Sequence, residues 1–169
     1  MVERNEVGEL SNELTYIRYL MDKGKTREIF HKITMPEYIA LHIIENECEN
    51  SAIYSGRTYL KDLSEKMKLT IRQTSKLIGE LKDRGMVQWS HDGNGSEGTY
   101  VSISENGKRF LHEQEKILSE VYGTVIENFG KENLIELLQK LKQLETVLSG
   151  AIEDREAIDT HDRMDEIDG

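Results

Sequence analysis

Residues 60–110 read LKDLSEKMKLTIRQTSKLIGELKDRGMVQWSHDGNGSEGTYVSISENGKRF. Apolar residues recur at three- and four-residue steps in the first part of this stretch, and they predict a short helix from Leu60 to Met67. A second helical pattern follows after only Lys68 and Leu69. We therefore expect two helices joined by a tight turn.

The second helix, expected from about Ile71 to Arg84, has two different faces. The inward face is predicted to comprise Ile71, Ser75, Ile78 and Leu81. The opposite face carries Arg72, Lys76 and Glu80, with Gln73 nearby. One side of this helix can therefore pack against the protein while the other side meets a partner.

Both ends of the second helix carry sequence signals. Thr70 precedes the helix and Gln73 follows three residues later, which is the pattern of a capping box. At the other end Gly85 follows Lys82 and Arg84, as expected of a C-terminal stop.

The chain after Gly85 changes to strand patterns. Residues 86–90 and 99–104 are typical of strands, and HDGNGSEG at 91–98 has the composition of a hairpin loop. Ser104 is predicted to cap the next helix. Two helices, a tight turn and a two-stranded ribbon predict a mostly α (α+β) winged helix-turn-helix, whose second helix is built to lie in the major groove of DNA.

The length of 169 residues suggests one domain, or one domain with dimerising arms. Charge is unevenly distributed along this chain. The formal net charge of −10 argues against indiscriminate binding to polyanions. Residues 57–84 nevertheless carry eight Lys or Arg and four acidic residues, a net charge of +4, whereas residues 145–169 have a net charge of −7. The basic patch is expected to bind a partner; alternatively, these charges only solvate helix surfaces.

Several classes of function find no support in the sequence. No apolar run approaches the roughly 20 residues of a membrane span, and residues 1–10 do not resemble a signal peptide, so we expect a cytoplasmic protein with no membrane partner. There is no phosphate loop or nucleophile motif, so we expect no enzyme. The five histidines lack metal-ligand spacing, so neither a metal nor a cofactor is expected. The single cysteine, Cys48, has acidic neighbours that disfavour a reactive thiolate and a redox sensor.

Apolar periodicity predicts long helices at both ends of the chain. One runs from about Glu9 to His31 with a break near residues 22–25, and two others cover about residues 105–128 and 131–153. Their apolar seams are too extensive for a lone monomer and indicate an interface, for which a second subunit is the simplest candidate. The predicted organisation is a helical dimerisation region at 9–33 and 116–153, a winged helix-turn-helix DNA-binding domain at 34–115, and an acidic flexible tail at 154–169.

A further helix is predicted ahead of residue 60. Thr34 caps it and Pro36 lies in its first turn. Its buried residues are expected to be Tyr38, Ile39, Leu41, Ile43 and Ile44. Residues 45–56 are predicted to form a loop, and residues 57–60 a short strand that pairs with the ribbon.

The order of these elements resembles the MarR family of bacterial transcriptional regulators over about residues 10–150. Residues 68–87 (KLTIRQTSKLIGELKDRGMV) are similar to the recognition helix and following strand of that family, and residues 101–111 (VSISENGKRFL) to the strand–helix junction after the wing. The resemblance implies a homodimer with interlocking terminal helices, in which each winged unit reads one half of a palindromic operator. Many relatives are repressors released by small phenolic or other ligands, or by cysteine oxidation.

The loop of the ribbon departs from the family pattern. Relatives usually carry an Asp-x-Arg motif in the wing, whose arginine enters the minor groove, whereas HDGNGSEGTY has Asp92 but no Arg or Lys. Either the wing contacts phosphates through backbone amides and Asn94, or it contributes little to binding.

Residues predicted to bind DNA are concentrated in and before the second helix. Arg72 and Lys76 can read guanine edges and Gln73 can pair with adenine, although Gln73 has the alternative of only closing the capping box. The predicted set is Thr70, Arg72, Gln73, Thr74 and Lys76, with Arg57, Lys61 and Lys68 as phosphate contacts and Asn94 in the wing.

Two further predictions concern partners other than DNA. Tyr16, Tyr19 and Tyr38 are predicted to line a pocket for a small-molecule effector, with core packing as the alternative. Three alternatives stay open for the acidic tail: it is an inert solvated end, it masks the basic patch, or it binds a partner. The alternative function for the whole chain is a winged-helix protein-interaction module that does not bind DNA, which the acidic balance and the wing without cations favour.

Overall fold

The computed structural model describes residues 4–50, 56–93 and 98–165, and within them the chain forms six α-helices and a three-stranded antiparallel sheet. The helices are α1 (Arg4–Lys23), α2 (Met35–Asn50), α3 (Leu60–Met67), α4 (Ile71–Asp83), α5 (Glu105–Phe129) and α6 (Lys131–Asp165). A 3₁₀ helix (Lys25–Ile29) follows α1, and the strands are β1 (Thr58–Tyr59), β2 (Val87–His91) and β3 (Thr99–Ile103). The predicted mostly α winged helix-turn-helix is confirmed.

The sheet has the strand order β1–β3–β2, with β3 in the middle. Tyr59 of β1 lies opposite Tyr100 of β3, and on the other side of β3 Trp89 of β2 lies opposite Val101. The hairpin β2–β3 is therefore the predicted ribbon, and the short strand predicted just before α3 pairs with it.

The apolar core lies where α2, α3, α4 and the start of α5 meet the inner face of the sheet. It comprises Ile33, Ala40, Leu41, Ile44, Leu60, Leu63, Ile78, Leu81, Met86, Val87, Val101 and Leu111. On α2 the buried positions fall at three- and four-residue steps from Glu37 to Ile44, so Ile39 points away from the core and is exposed. The prediction that Ile39 is buried was wrong for this reason.

The junction between the ribbon and α5 is tightly packed. The Ser104 hydroxyl accepts a hydrogen bond from the Gly107 N–H (3.0 Å) and donates one to the Gly85 carbonyl oxygen (2.7 Å). A Cβ atom added to Gly107 would lie 2.1 Å from the carbonyl oxygen of Met86. The predicted Ser104 cap is confirmed, and α5 starts in direct contact with the segment that joins α4 to β2.

Some helix ends differ from the predicted ones. The break near residues 22–25 is confirmed, because α1 ends at Lys23. Residues 45–50 belong to α2 rather than to a loop; they contain no glycine or proline, and Glu47 forms an ion pair with Lys66 of α3. Helix α6 continues to Asp165, beyond the predicted end near residue 153, so much of the predicted tail is helical.

The chain divides into two units, residues 1–119 and 120–169. The first unit contains the core described above. In residues 120–156 of the second unit, whose burial the structure describes, no residue is buried. None of the described helices combines the length and apolar character that crossing a bilayer requires.

Candidate nucleic-acid interface

Helix α4 begins with a fully formed capping box. The Thr70 hydroxyl accepts a hydrogen bond from the Gln73 N–H (3.2 Å), and the Gln73 side-chain oxygen accepts one from the Thr70 N–H (2.9 Å). Just upstream, Lys68 adopts the left-handed conformation (φ 55°) and turns the chain between α3 and α4. The predicted cap and tight turn are confirmed, and together they hold the first turn of α4 in place.

The two faces of α4 differ in burial and charge. Its fully buried residues are Thr74, Ile78 and Leu81. Arg72 and Lys76 lie on the opposite side and are exposed. The Lys76 side chain is 81% exposed and its ammonium lies 4.0 Å from a Glu80 carboxylate oxygen, a surface ion pair that is worth no more than about 1 kcal/mol. The outer face of α4 therefore presents cations that no strong partner within the helix neutralises.

Two residues of α4 are oriented differently from the prediction. Thr74, predicted to bind DNA, is fully buried, and its hydroxyl donates a hydrogen bond to the Thr70 carbonyl oxygen (3.0 Å). This bond satisfies the hydroxyl inside the protein, so the side chain is not available to DNA. Ile71, predicted to face inward, is 50% exposed. Its angular position matches that of Ile78, but it lies in the first turn, where the helix leaves the core.

The predicted phosphate contacts outside α4 lie on α3 or next to α3 and β1. Lys61 is exposed on α3, and Lys68 is exposed at the turn between α3 and α4. Arg57 precedes β1 and is partly buried. Asn94 lies outside the described residues.

Arg84, just after α4, has a structural role that the sequence did not reveal. Its guanidinium donates hydrogen bonds to a Glu37 carboxylate oxygen (2.6 Å) and to the Lys32 carbonyl oxygen. Glu37 is buried and also accepts a hydrogen bond from the Thr34 N–H (2.6 Å). Burial raises the pKa of Glu37, but the bonds from Thr34 and Arg84 outweigh it, so the pKa of this carboxyl is lowered overall. Arg84 thus ties the end of α4 to the start of α2.

A cluster of polar and aromatic side chains joins β1 to the ribbon. The Arg57 guanidinium lies 4.6 Å from the centre of the Tyr100 ring, and the Tyr59 ring meets Tyr100 edge-on at 6.0 Å. The Tyr59 hydroxyl donates a hydrogen bond to an Asp92 carboxylate oxygen (2.9 Å) at the base of the loop. We refer to Arg57, Tyr59, Asp92 and Tyr100 as the ribbon-base cluster.

The three tyrosines predicted to line an effector pocket occupy different surroundings. Tyr16 and Tyr19 are 60% and 55% exposed on α1. Tyr38 is half-buried on α2 and packs its ring against those of Phe30 and His42. Burial and the nearby charge of Glu115 raise the pKa of Tyr38. The effector pocket stays a prediction. A depression of about 680 Å³ on the first unit is lined instead by polar residues of α5, most of them charged.

The contacts missed by sequence reasoning join residues far apart in the chain. Arg84 and Glu37 are separated by 47 positions, and Tyr59 and Asp92 by 33. Local spacing carries no signal for such pairs. In the part of the chain that the structure describes, no group of three or more His, Cys, Asp or Glu could hold a metal ion.

Comparison with solved structures shows that this chain has the fold of known MarR proteins. A MarR family protein from Bacillus stearothermophilus is 24% identical, with a TM-score of 0.61 over 88% of this chain and 99% of that one. A MarR family regulator from Neisseria meningitidis is 19% identical, with a TM-score of 0.63 over 89% and 98% of the two chains. The MepR–DNA complex of S. aureus is 14% identical, with a TM-score of 0.63 over 82% and 97%. No model of a protein family matches the sequence, and no curated protein matches it.

Proposed function

We propose that this chain is a transcriptional regulator of the MarR family that binds double-stranded DNA as a homodimer. The observation that carries this proposal is the outer face of α4, where Arg72 and Lys76 stand exposed on a helix anchored by its own cap and by its packed inner face. A helix of this kind fits the major groove, where Arg and Lys contact guanine edges and phosphates. The fold shared with the MepR–DNA complex supports the same reading.

Charge distribution favours selective rather than indiscriminate binding. The whole chain has a formal net charge of −10, so long-range attraction to any polyanion is weak. Residues 57–84, with a net charge of +4, concentrate positive charge on the segment that contains α3 and α4. Within this segment we retain Thr70, Gln73, Lys61 and Lys68 as proposed contacts with bases or phosphates. The buried Thr74 is no longer part of the proposed interface.

Exposed apolar side chains support a homodimer. Helix α6 carries large apolar residues along its length, and Val147 is 70% exposed. None of residues 120–156 is buried, so this described part of the second unit has no core of its own and needs a partner surface. Two copies related by a two-fold axis would present two α4 helices to half-sites about one helical turn, roughly 34–36 Å, apart.

We further propose that the protein is a repressor that responds to a small-molecule effector. Two solved structures with this fold involve small molecules. One concerns how 6-hydroxynicotinic acid regulates DNA binding by Bordetella bronchiseptica BpsR, and the other is Streptomyces coelicolor PcaV in complex with its natural ligand. A ligand that binds one arrangement of the two winged units better than another would shift their separation and so change operator affinity. The region around Tyr16, Tyr19 and Tyr38 is the proposed location of the effector.

Binding to the DNA upstream of the gene tests the proposal. The Arg72→Glu/Lys76→Glu protein should lose specific binding by about 100-fold or more, because two base or phosphate contacts become repulsive. The matched control is Arg109→Glu/Lys116→Glu, which reverses one Arg and one Lys at exposed positions on α5 and should bind like the wild type. Fluorescence anisotropy at several salt concentrations measures both. Equal affinity of wild type and the α4 variant would reject the proposal.

The alternative function is a protein-interaction module with a winged-helix fold. It is favoured by the acidic balance and by the ribbon, because residues 85–107 contain no Lys or Arg. A protein of this kind would show no salt-dependent binding to any genomic fragment, and it would instead form a stable complex with another protein. A genomic pull-down with the purified protein separates the two functions.

A further inference from the structure

The ribbon lies beside α4, but residues 85–107, which include it, contain no cationic side chain of Lys or Arg. The hairpin loop adds the acidic residues Asp92 and Glu97. Phosphate contacts normally need a cation or aligned backbone amides. The charge that the ribbon lacks is supplied at its edge by Arg57, because β1 pairs with β3.

Strand register places the ribbon-base cluster on the outer face of the sheet. Side chains opposite one another in neighbouring strands share a face, and alternate residues of a strand do so too. Val101 is buried on the inner face, so its neighbour Tyr100 and the opposing Tyr59 lie on the outer face. Arg57, two residues before Tyr59, lies over the Tyr100 ring on that same outer face.

The aromatic contacts of Arg57 orient its guanidinium. Stacking over the Tyr100 ring at 4.6 Å restricts the rotamers of the arginine, and a guanidinium stacked in this way can still donate hydrogen bonds from its edge. The second contact is with the Tyr59 hydroxyl, an uncharged group. An arginine ordered in this way loses less conformational entropy when it meets a phosphate.

Tyr59, the last residue of β1, links this strand to the base of the hairpin loop. Its hydroxyl donates to Asp92, and the Asp92 N–H donates to the Gly98 carbonyl oxygen (3.0 Å) across the loop. The hydrogen bond to Asp92 raises the pKa of Tyr59, with a smaller contribution from the charge of Asp92, while Arg57 acts in the opposite direction. β1 and the hairpin are thus connected through side chains as well as through the strand ladder.

We propose that Arg57 is the cation through which the ribbon binds the DNA backbone, and that Tyr100 and Tyr59 are positioning residues that hold it. This inference rests on the proposed DNA-binding function and assigns the ribbon contact to an edge strand rather than to the hairpin loop. Asp92 has a double effect: its hydrogen bond with Tyr59 orders the cluster, while its negative charge weakens the attraction to phosphate.

Salt-dependent binding to the operator DNA tests the assignment. Arg57→Gln should lower affinity about 5-fold near 0.1 M salt and reduce the slope of log K against log salt by about 0.9, the value for one phosphate contact. Arg57→Lys should keep the slope but lose part of the affinity, because an ammonium stacks less well on Tyr100. Tyr100→Leu should likewise lower affinity with an unchanged slope. Arg109→Gln, which removes an exposed arginine on α5, is the matched control and should leave both quantities unchanged.

Asp92→Asn provides a test in the opposite direction. The amide oxygen still accepts the Tyr59 hydrogen bond while the negative charge is gone, so affinity should rise about 2-fold. A variant that merely damaged the fold would lower affinity instead. Circular dichroism and thermal unfolding confirm that each variant is folded.

The outcomes separate this inference from the function it rests on. If the wild type binds with a steep salt dependence and Arg57→Gln keeps the wild-type slope, the assignment of Arg57 is overturned while the DNA-binding function stands. If the wild type binds no DNA at any salt concentration, both are overturned.

Discussion

Among single residues, Gly107 has the least space around it. Its position in the first turn of α5 brings its Cα against the Met86 carbonyl, and an added Cβ would lie 2.1 Å from that oxygen and 2.8 Å from Ile103 Cγ1. Ile103 belongs to β3 and Met86 directly precedes β2, so relief would require the helix and the sheet to move apart. Glycine at this position is therefore a requirement of close packing rather than of backbone conformation.

We predict that Gly107→Ala destabilises the protein by about 3 kcal/mol, the upper part of the range for overpacking. Gly79→Ala is the matched control: this glycine lies within α4 and nothing lies within 4 Å of an added Cβ. That variant should be more stable by about 0.5–1 kcal/mol, because alanine favours helices. Urea unfolding followed by circular dichroism measures both. Equal stabilities of the two variants would contradict the packing described here.

A second prediction concerns the ion pair between Glu37 and Arg84. The folded-state pKa of Glu37 is lowered from its ordinary value of 4.5, so its charged form stabilises the fold above that pH, and the contribution is lost as the pH falls through the folded-state pKa. Glu37→Gln should therefore cost about 1–2 kcal/mol at pH 7, a value reduced because Arg84 is partly exposed to solvent.

The difference between wild type and Glu37→Gln should shrink as the pH falls below about 4.5, because the carboxyl of the unfolded chain then takes up a proton. It should vanish once the pH is below the lowered folded-state pKa, where the folded carboxyl is protonated too. Unfolding by urea at pH 7, 5 and 3.5 provides the measurement. A difference that stays constant over this range would mean that the charge of Glu37 does not stabilise the fold.

At the level of elements, α4 is defined by its ends and by its inner face. The capping box satisfies the first N–H groups of the helix, and Gly85, with φ 67°, ends it. Gln73 uses its side-chain oxygen in this cap, which leaves only its amide N–H groups to contact a base. The predicted capping box at Gln73 is thus confirmed, while the contact of Gln73 with DNA stays a proposal.

Thr70→Ala should lower the free energy of unfolding by about 1 kcal/mol, because the Gln73 N–H loses its acceptor. Thr70→Ser keeps a hydroxyl at the same position and should unfold close to the wild type. Thermal unfolding compares the three proteins. If alanine and serine behaved alike, the hydroxyl would not be acting as a cap.

For the whole molecule, the main question is what covers the apolar surface of the terminal helices. Large apolar side chains are exposed on α1, on the second half of α5 and along α6, including Leu10, Leu14, Val125, Leu141 and Leu148. Burial of such surfaces contributes roughly 25 cal/mol per Å². A second copy of the chain is the proposed partner, and it would also match the proposed two-fold DNA site.

We predict that Leu141→Glu/Leu148→Glu converts the proposed dimer into a monomer. Each change places a charge on an apolar surface that a partner must cover, which disfavours association. Light scattering after gel filtration reports the mass, and the melting temperature should stop depending on protein concentration. Lys131→Glu/Lys140→Glu, at exposed polar positions on the same helix, is the control and should remain dimeric. A wild-type protein that is monomeric at micromolar concentration would contradict the proposed dimer.

Much of the winged unit is determined by the sequence alone. The cap at Thr70, the stop at Gly85 and the cap at Ser104 depend on hydrogen bonds between residues only a few positions apart, and the change from helical to strand period is equally local. Such signals can be read in a single segment, and for this reason the helices α3 and α4 and the ribbon were predicted correctly.

Only the tertiary structure decided which side chains of these elements are available for function. Thr74 rather than Ile71 faces the core, because burial depends on where the neighbouring elements end as well as on angular position. Arg84 pairs with Glu37, and Arg57 lies over Tyr100, because the fold brings distant segments together. A linear pattern records periodicity and local hydrogen bonding, but it does not record these long-range contacts, which decide which side chains remain exposed on the surface.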